Sequence, residues 1–192
     1  VVSTQDRESM VFTTIDLLPT VSVSSPVAGS EWHCGETKDI TWEATDNTEG
    51  LVVQAIEYST NGGETWILIA TEEENDGVYT WTVQDTPSEN CKIKTTVRDH
   101  AGNIESAESG VFTISDNTLP EVSLICPNGG EYLNIGDTEM IRWTATDNVG
   151  IADQQLFYST NGGTDWIEVE GVEPQTNGEY VYPWAIPEVF SQ

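Results

Sequence analysis

Basic residues are scarce in this chain: 6 lysines and arginines stand against 33 aspartates and glutamates in 192 residues, a formal net charge of −27. A field of that sign repels phosphates, so nucleic acid is excluded as a partner. It fits a secreted or surface protein bathed in cations. Long apolar runs are lacking as well. None approaches the ~20 residues that cross a bilayer as a helix, so no membrane insertion of this segment is expected. No capped stretch with helical spacing of apolar residues occurs. The chain has no Asn-x-Ser/Thr site, which excludes the usual N-glycosylation. Histidines number 2, in separate loops, and Asp99 beside His100 is sequence adjacency rather than a triad. No carboxylate pair stands in a recognisable strand-end context for glycoside hydrolysis. The protein is therefore expected not to be an enzyme. The first residue is Val rather than Met and no signal sequence is visible, which fits a processed mature chain or a fragment.

What is present is a repeat. Tyr58-Ser-Thr-Asn-Gly-Gly-Glu-Thr-Trp66 returns as Tyr158-Ser-Thr-Asn-Gly-Gly-Thr-Asp-Trp166. Pro19 to Trp42 maps onto Pro120 to Trp143, Ala44-Thr-Asp-Asn47 onto Ala145-Thr-Asp-Asn148, and Val11-Phe-Thr13 onto Val111-Phe-Thr113. The period of about one hundred residues is the size of one small β-sandwich and far above a solenoid unit.

Within one period, short alternating strands are separated by turn residues. Thr20 to Ser25 ends at Pro26 and Gly29, and Ile40, Trp42 and Ala44 alternate with polar neighbours. Leu51 to Ser59 turns through Asn61-Gly62-Gly63 into Trp66 to Ala70, the Asn-Gly pair supplying the positive φ angles of a tight hairpin. Tyr79, Trp81 and Val83 share a face. So do Cys91, Ile93, Thr95 and Val97, with Lys92, Lys94 and Arg98 opposite, and Asp99 to Asn103 turns into Ser109 to Ser115. About seven strands with a buried Trp predict an all-β fold of tandem immunoglobulin-like or fibronectin type III-like sandwiches.

The register also assigns domains. Residues 19–117 form a complete bead, and 118–192 a bead lacking its last two strands. Residues 1–18 read as the last strands of a preceding or neighbouring-subunit bead, so one bead is complete and one is split across the termini. A window onto a longer multi-bead protein explains the cut. So does strand exchange, in which the front segment of one copy fills the open sandwich of the next and builds a head-to-tail polymer. Val11, Phe12 and Ile15 are the interface candidates on that segment. Phe157, which replaces Glu57, and Trp184, placed outside the Tyr180–Tyr182 face, are expected to cover an interface with another bead or subunit.

Cys34 and Cys91 fall in one bead and Cys126 at the start of the next, at spacings unlike a zinc site. A Cys34–Cys91 disulfide is expected, because secreted sandwiches favour a staple between sheets. Cys126 is then free or paired outside the chain.

Several motifs carry resemblances. Ser59 to Trp66 resembles the Asp-box hairpin of sialidases and many secreted β proteins, with Asn61 and Asn161 in place of the Asp; that resemblance implies a closed hairpin and a buried Trp away from any catalytic centre. Ser25 to Trp32, Ile40-Thr-Trp42, Tyr79-Thr-Trp-Thr-Val83, Asn90-Cys-Lys-Ile93 and Cys126-Pro-Asn-Gly-Gly-Glu131 together resemble the Ser/Thr-rich cell-wall family of immunoglobulin-like repeats in microbial surface proteins. Asp99-His-Ala-Gly-Asn103 resembles a hairpin of bacterial immunoglobulin-like adhesin repeats. Ser115-Asp-Asn-Thr-Leu-Pro120 resembles the calcium-rigidified joint of cadherin repeats. Calcium is accordingly the expected ligand, with Asp46, Asn47, Asp99, Asp116, Asn117, Asp147 and Asn148 as candidate ligands, although simple turn caps explain the Asp-Asn pairs equally well.

These readings converge on an extracellular structural protein of a microbial filament, sheath or surface layer. Its partners are copies of itself or adjoining immunoglobulin-like repeats. The alternative is an adhesin or carbohydrate-binding accessory module with a glycan ligand.

Overall fold

The computed structural model describes residues 15, 17–173 and 177–188, and chain packing divides it into two units that meet between Ser115 and Asp116. The expectation for Val11 and Phe12 lies outside the described residues. In the first unit the strands are β1 (Thr20–Ser25), β2 (Glu31–His33), β3 (Thr37–Thr45), β4 (Val52–Ser59), β5 (Ile67–Glu74), β6 (Val78–Thr82), β7 (Ser88–Arg98), β8 (Ile104–Glu108) and β9 (Phe112–Ser115). The second holds β10 (Glu121–Cys126), β11 (Thr138–Thr146), β12 (Phe157–Tyr158), β13 (Ile167–Glu168) and β14 (Gly178–Ala185). The fold is all-β, as the alternation predicts.

Two sheets face each other in the first unit. One runs β1-β3-β6; the other runs β2-β9-β7-β4-β5, with β8 also on β7. Each contributes the inward half of an alternating pattern to one core. Ile40, Trp42 and Trp81 come from the first sheet, and Val53, Ile56, Tyr58, Ile93, Val97, Phe112 and Ile114 from the second. Trp81 packs between Trp32 (ring centroids 6.2 Å) and Tyr58 (5.1 Å), and Trp32 against Phe112 (5.0 Å). Burying rings of this size contributes several kcal/mol of transfer free energy, about 25 cal/mol per Å².

The sequence pattern misses β2 and β8. β2 has 3 residues among turn formers, and its partner is β9, more than eighty positions away and parallel to it, with Trp32 opposite Ile114. β8 is separated from β9 by a local break. There the Ser109 Oγ accepts from the Ile93 amide at 2.9 Å and the Ser109 amide donates to the Ile93 carbonyl at 2.8 Å. The hairpin after β4 also differs in detail from its expected form. Gly62 and Gly63 take the positive φ angles (74° and 100°), while Asn61 Oδ1 accepts from the Thr65 amide at 3.0 Å. Ser59 Oγ accepts from the Gly63 amide at 2.9 Å, and the second unit repeats that bond from Gly163 to Ser159 at 2.8 Å.

In the second unit the first sheet recurs as β10-β11-β14. The β1/β3 and β10/β11 registers match residue for residue, including a bulge before Ser25 and before Cys126. The second sheet is reduced to the two-residue pair β12-β13. Its core holds Ile141, Trp143, Ala145 and Tyr180, with Ile151, Leu156, Tyr182 and Trp184 half-buried beside them. Trp184 thus points into the second core, 5.0 Å from Tyr158 by ring centroid. This corrects its expected outward placement: residues 180, 182 and 184 share one parity on β14 and therefore one face. The register of β14 makes Trp184 the counterpart of Trp81, each opposite the second residue of the long strand beside it.

Gly110 crosses close over the loop after β1. A Cβ there would lie 2.6 Å from the Ala28 Cβ and 2.9 Å from its Cα, distances no neighbouring side-chain rotation relieves. Gly110→Ala is expected to destabilise the first unit by about 1–3 kcal/mol, read as a lowered urea midpoint with the Trp32 and Trp81 fluorescence change as probe.

Candidate interaction surface

The outward face of β7 carries Lys92, Lys94 and Arg98, and each meets a carboxylate. Lys92 pairs with Glu108 of β8 at 2.9 Å, Lys94 with Glu57 of β4 at 2.7 Å, and Arg98 with Glu72 of β5 at 2.9 Å. Glu57 and Lys94 are direct cross-strand partners. The Lys94 ammonium also lies 4.4 Å from the Trp66 ring centroid, so it is held by a carboxylate and an aromatic face together. This explains how Trp66 is covered. A long cation reaches it from β7, across β4.

The second unit lacks a strand in that place among the described residues, and the consequences follow position by position. Leu133, at the sequence position of the 6% exposed Trp32, is 38% exposed, and Ile135, at the position of Cys34, is 50% exposed. Residues 151–156 correspond to most of β4 but pair with no strand, and only Phe157 and Tyr158 remain extended and paired. Trp166 is 62% exposed, which departs from the buried Trp that the hairpin resemblance implies, because no counterpart of Lys94 covers it. Phe157 is 43% exposed, an outward aromatic as expected. Between the first sheet and residues 150–156 opens a cleft of about 640 Å³ with Val122, Leu124, Trp143, Ala145, Ile151 and Leu156 on its walls. Their counterparts Val21, Val23, Trp42, Ala44, Leu51 and Ile56 all belong to the closed core of the first unit, where Ile93 and Val97 of β7 complete it.

The candidate metal ligands serve as turn acceptors. Asp46 Oδ2 accepts from the Thr48 amide at 3.0 Å and from the Thr48 hydroxyl; the hydroxyl bond foremost holds its carboxyl below the usual range. Asn47 clasps the entering chain, donating to the Ile15 carbonyl at 2.9 Å and accepting from the Leu17 amide at 3.1 Å; Ile15 itself is 74% exposed. Asp99 is buried, its two oxygens accepting from the Asn103 amide and side chain, each at 2.7 Å. Asp116 Oδ1 accepts from the Thr118 amide at 3.0 Å, and Asp147 Oδ1 from the Val149 and Gly150 amides at 2.9 and 3.0 Å. Asn117 and Asn148 are exposed or nearly so at the same corners. Among the described residues no three acidic, His or Cys side chains gather as a metal site. One oxygen at each equivalent corner, Asp46 Oδ1 and Asp147 Oδ2, is buried without a hydrogen-bond partner. Glu131, a site the sequence does not flag, accepts from the Asn128 and Gly129 amides, foremost Asn128, and these bonds hold its carboxyl below the usual range.

The Cys34–Cys91 disulfide is not formed. Both cysteines are buried thiols, and the Cys91 thiol donates to the Ser88 carbonyl at 3.3 Å. The reason is sheet order. Cys34 follows β2 and Cys91 lies on β7, with β9 between them. Next-but-one strands stand about 10 Å apart, beyond the Cα separation of about 4.4–6.8 Å that a disulfide spans. Burial raises the Cys91 pKa. Its contribution to stability is therefore fully present below the ordinary thiol pKa and is lost as pH rises through the raised value in the folded state. Alkylation at neutral pH is expected to modify the partly exposed Cys126 first, with Cys34 and Cys91 reacting only on unfolding or in alkali. Mass spectrometry of the labelled peptides checks the order, and early labelling of Cys91 would contradict its burial.

His33 Nδ1 lies 2.8 Å from the Ser115 Oγ, tying the ends of β2 and β9, and the Glu36 carboxylate accepts from the His33 amide at 2.6 Å. These contacts hold strands together. No helix of the described residues is long and apolar enough to cross a membrane.

Comparison with curated proteins gives no match. Among solved structures, the chain is similar to the fibronectin(III)-like modules of Clostridium thermocellum CbhA, with 18% identity, TM-score 0.36, and coverage of 88% of this chain and 94% of that one. It is similar to the titin domains z1z2 in complex with telethonin, with 14% identity, TM-score 0.32, and coverage of 91% and 84%. A third similar structure is from a 1.5-MDa bacterial ice-binding adhesin described for host cell surface retention, with 13% identity and TM-score 0.33. There 90% of this chain is covered but only 55% of the adhesin chain. Residues 19–97 match the family model of the bacterial Ig domain; the two facing sheets of the first unit form an immunoglobulin-like sandwich, and the second unit repeats its first sheet in the same register.

Proposed function

We propose that the chain is a force-bearing spacer of a bacterial surface or secreted protein, in which immunoglobulin-like beads set the distance between other parts of a filament, sheath or surface layer. The observation that carries this reading is the parallel pairing of β2 with β9. β2 lies near the start of the first unit and β9 at its end, and tension on the two ends pulls parallel neighbours in opposite directions along their length. Their bonds are then loaded together in shear rather than one after another. Gly29 N to Val111 O (2.8 Å), Thr113 N to Ser30 O (2.9 Å) and Cys34 N to Ser115 O (2.9 Å) form that clamp. Each backbone bond contributes only about 1 kcal/mol to equilibrium stability, so the resistance comes from their simultaneous loading. The acidic surface keeps successive beads hydrated and apart. Within this reading, residues 1–18 belong to a bead preceding the first unit or to a neighbouring subunit, and head-to-tail strand complementation is its assembly variant.

Thr113→Pro removes one clamp donor. It is expected to lower the force at which the first unit unfolds when the chain is pulled from its ends in single-molecule experiments. A fall in equilibrium stability with an unchanged unfolding force would overturn the clamp. Antibodies against the first unit should label intact producing cells or their medium; labelling only after lysis would overturn the surface location.

A calcium-stiffened corner is a further proposal, supported by the orphaned oxygens of Asp46 and Asp147 at equivalent places. Calorimetric titration of calcium into chelator-treated chain should give heat and a raised melting temperature. Absence of both removes it. Exposed Phe157 and Trp166 also suit the alternative of a glycan-binding adhesin or accessory module, and glycan-array binding lost on Trp166→Ala would favour that reading.

A further inference from the structure

We propose that the Asn128–Gly129 step is a site of spontaneous deamidation through a succinimide, and that the Glu131 carboxylate is the lock that sets its rate. The chain holds four Asn-Gly steps, at 61–62, 128–129, 161–162 and 177–178. Ring closure needs two freedoms at such a step. The asparagine carboxamide must swing onto the next amide nitrogen, and that nitrogen must give up its proton. The fold withholds the first freedom at three of the four. Asn61 accepts from the Ser59 hydroxyl and the Thr65 amide and donates to the Thr65 hydroxyl at 2.9 Å. Asn161 accepts in the same way from Ser159 and Asp165, and donates to the Asp165 carboxylate at 2.7 Å. Asn177 grips the Asp147 backbone through both ends of its carboxamide, at 3.0 and 2.7 Å. The Asn128 side chain is exposed and makes no hydrogen bond among the described residues.

Only the second freedom is withheld at Asn128. Glu131 accepts from the Asn128 amide at 2.9 Å and from the Gly129 amide at 2.8 Å. Removing the Gly129 proton would set a nitrogen anion against a carboxylate at hydrogen-bond distance, which opposes the step. The amides of this loop, Asn128 foremost, hold the Glu131 carboxyl below the usual range, so the lock is charged at neutral pH. The glycine is fixed by the backbone: Gly129 has φ 122°, a conformation that side chains disfavour. Nor does access depend on how the sandwich is closed, because Val27, the counterpart of Asn128 in the closed first unit, is itself exposed. The reaction balances with water alone. Base takes the Gly129 amide proton, the nitrogen attacks the Asn128 Cγ, and the carboxamide nitrogen takes a proton back and leaves as ammonia. Water then opens the ring at either carbonyl, giving aspartate or isoaspartate at 128. Either product sets a second carboxylate beside Glu131, and isoaspartate also adds one backbone atom between the two amides that share it.

The full 192-residue chain is incubated at mildly alkaline pH, native and in urea, and the four steps are followed by peptide mass mapping that separates aspartate from isoaspartate. In urea the four should react at similar rates, and in the native chain Asn128 should react first. Glu131→Ala and Glu131→Gln should each hasten Asn128 about fivefold, the size of one exposed hydrogen bond, with Asn61, Asn161 and Asn177 unchanged. Faster reaction at Asn161 and Asn177 as well would mean a loosened unit rather than a lost lock, and overturns the proposal. A slower Asn128 in either variant would make Glu131 the base that drives ring closure, and overturns it equally. An unchanged rate at Asn128, or native reaction at another of the four ahead of it, does the same.

Discussion

Everything in the first unit depends on one strand having two different faces. β7 presents a buried aliphatic row to the core and an ion-paired row to solvent, while its edges bond to β4 on one side and to β8 and β9 on the other. The second unit shows what remains when no such strand is in place among the described residues. The sheet β10-β11-β14 survives with its register and bulge, because each of its strands pairs with another that is present. The facing sheet shrinks to a two-residue ladder, and an interior that should be closed becomes a cleft. Apolar surface left in water costs about 25 cal/mol per Å² relative to its burial.

Ion pairs act on a smaller scale here. Five described basic side chains, Lys38, Lys92, Lys94, Arg98 and Arg142, each lie against a glutamate. At their partial exposure such pairs contribute about 0–1 kcal/mol apiece. Their placement matters more than their strength. The acidic groups far outnumber the cations, so a strand with cations in the right places is drawn to the face that offers them carboxylates and is mismatched elsewhere.

Alternating patterns made the long strands readable. Ile40, Trp42 and the row Cys91, Ile93, Thr95, Val97 occupy the inward places their parity demands, and the repeat of Tyr58 to Trp66 marks the same hairpin twice. What stayed hidden depends on non-local neighbours. β2 is three residues whose strand state exists only through β9. The cysteine pairing failed because sheet order, with β9 between β2 and β7, cannot be read from spacing. Trp166 looked like a buried hairpin anchor because its own string is intact; its exposure is set by a lysine on another strand. The Asp-Asn corners cap turns, and turn capping and calcium binding draw on the same oxygen-rich composition.

The two units differ most at the place of β2 and β9. In the first unit β2 has β9 for its partner, and β9 pairs with β7 on its other edge. The counterpart of β2 in the second unit, residues 132–134, has no strand pairing, and its apolar Leu133 stands open.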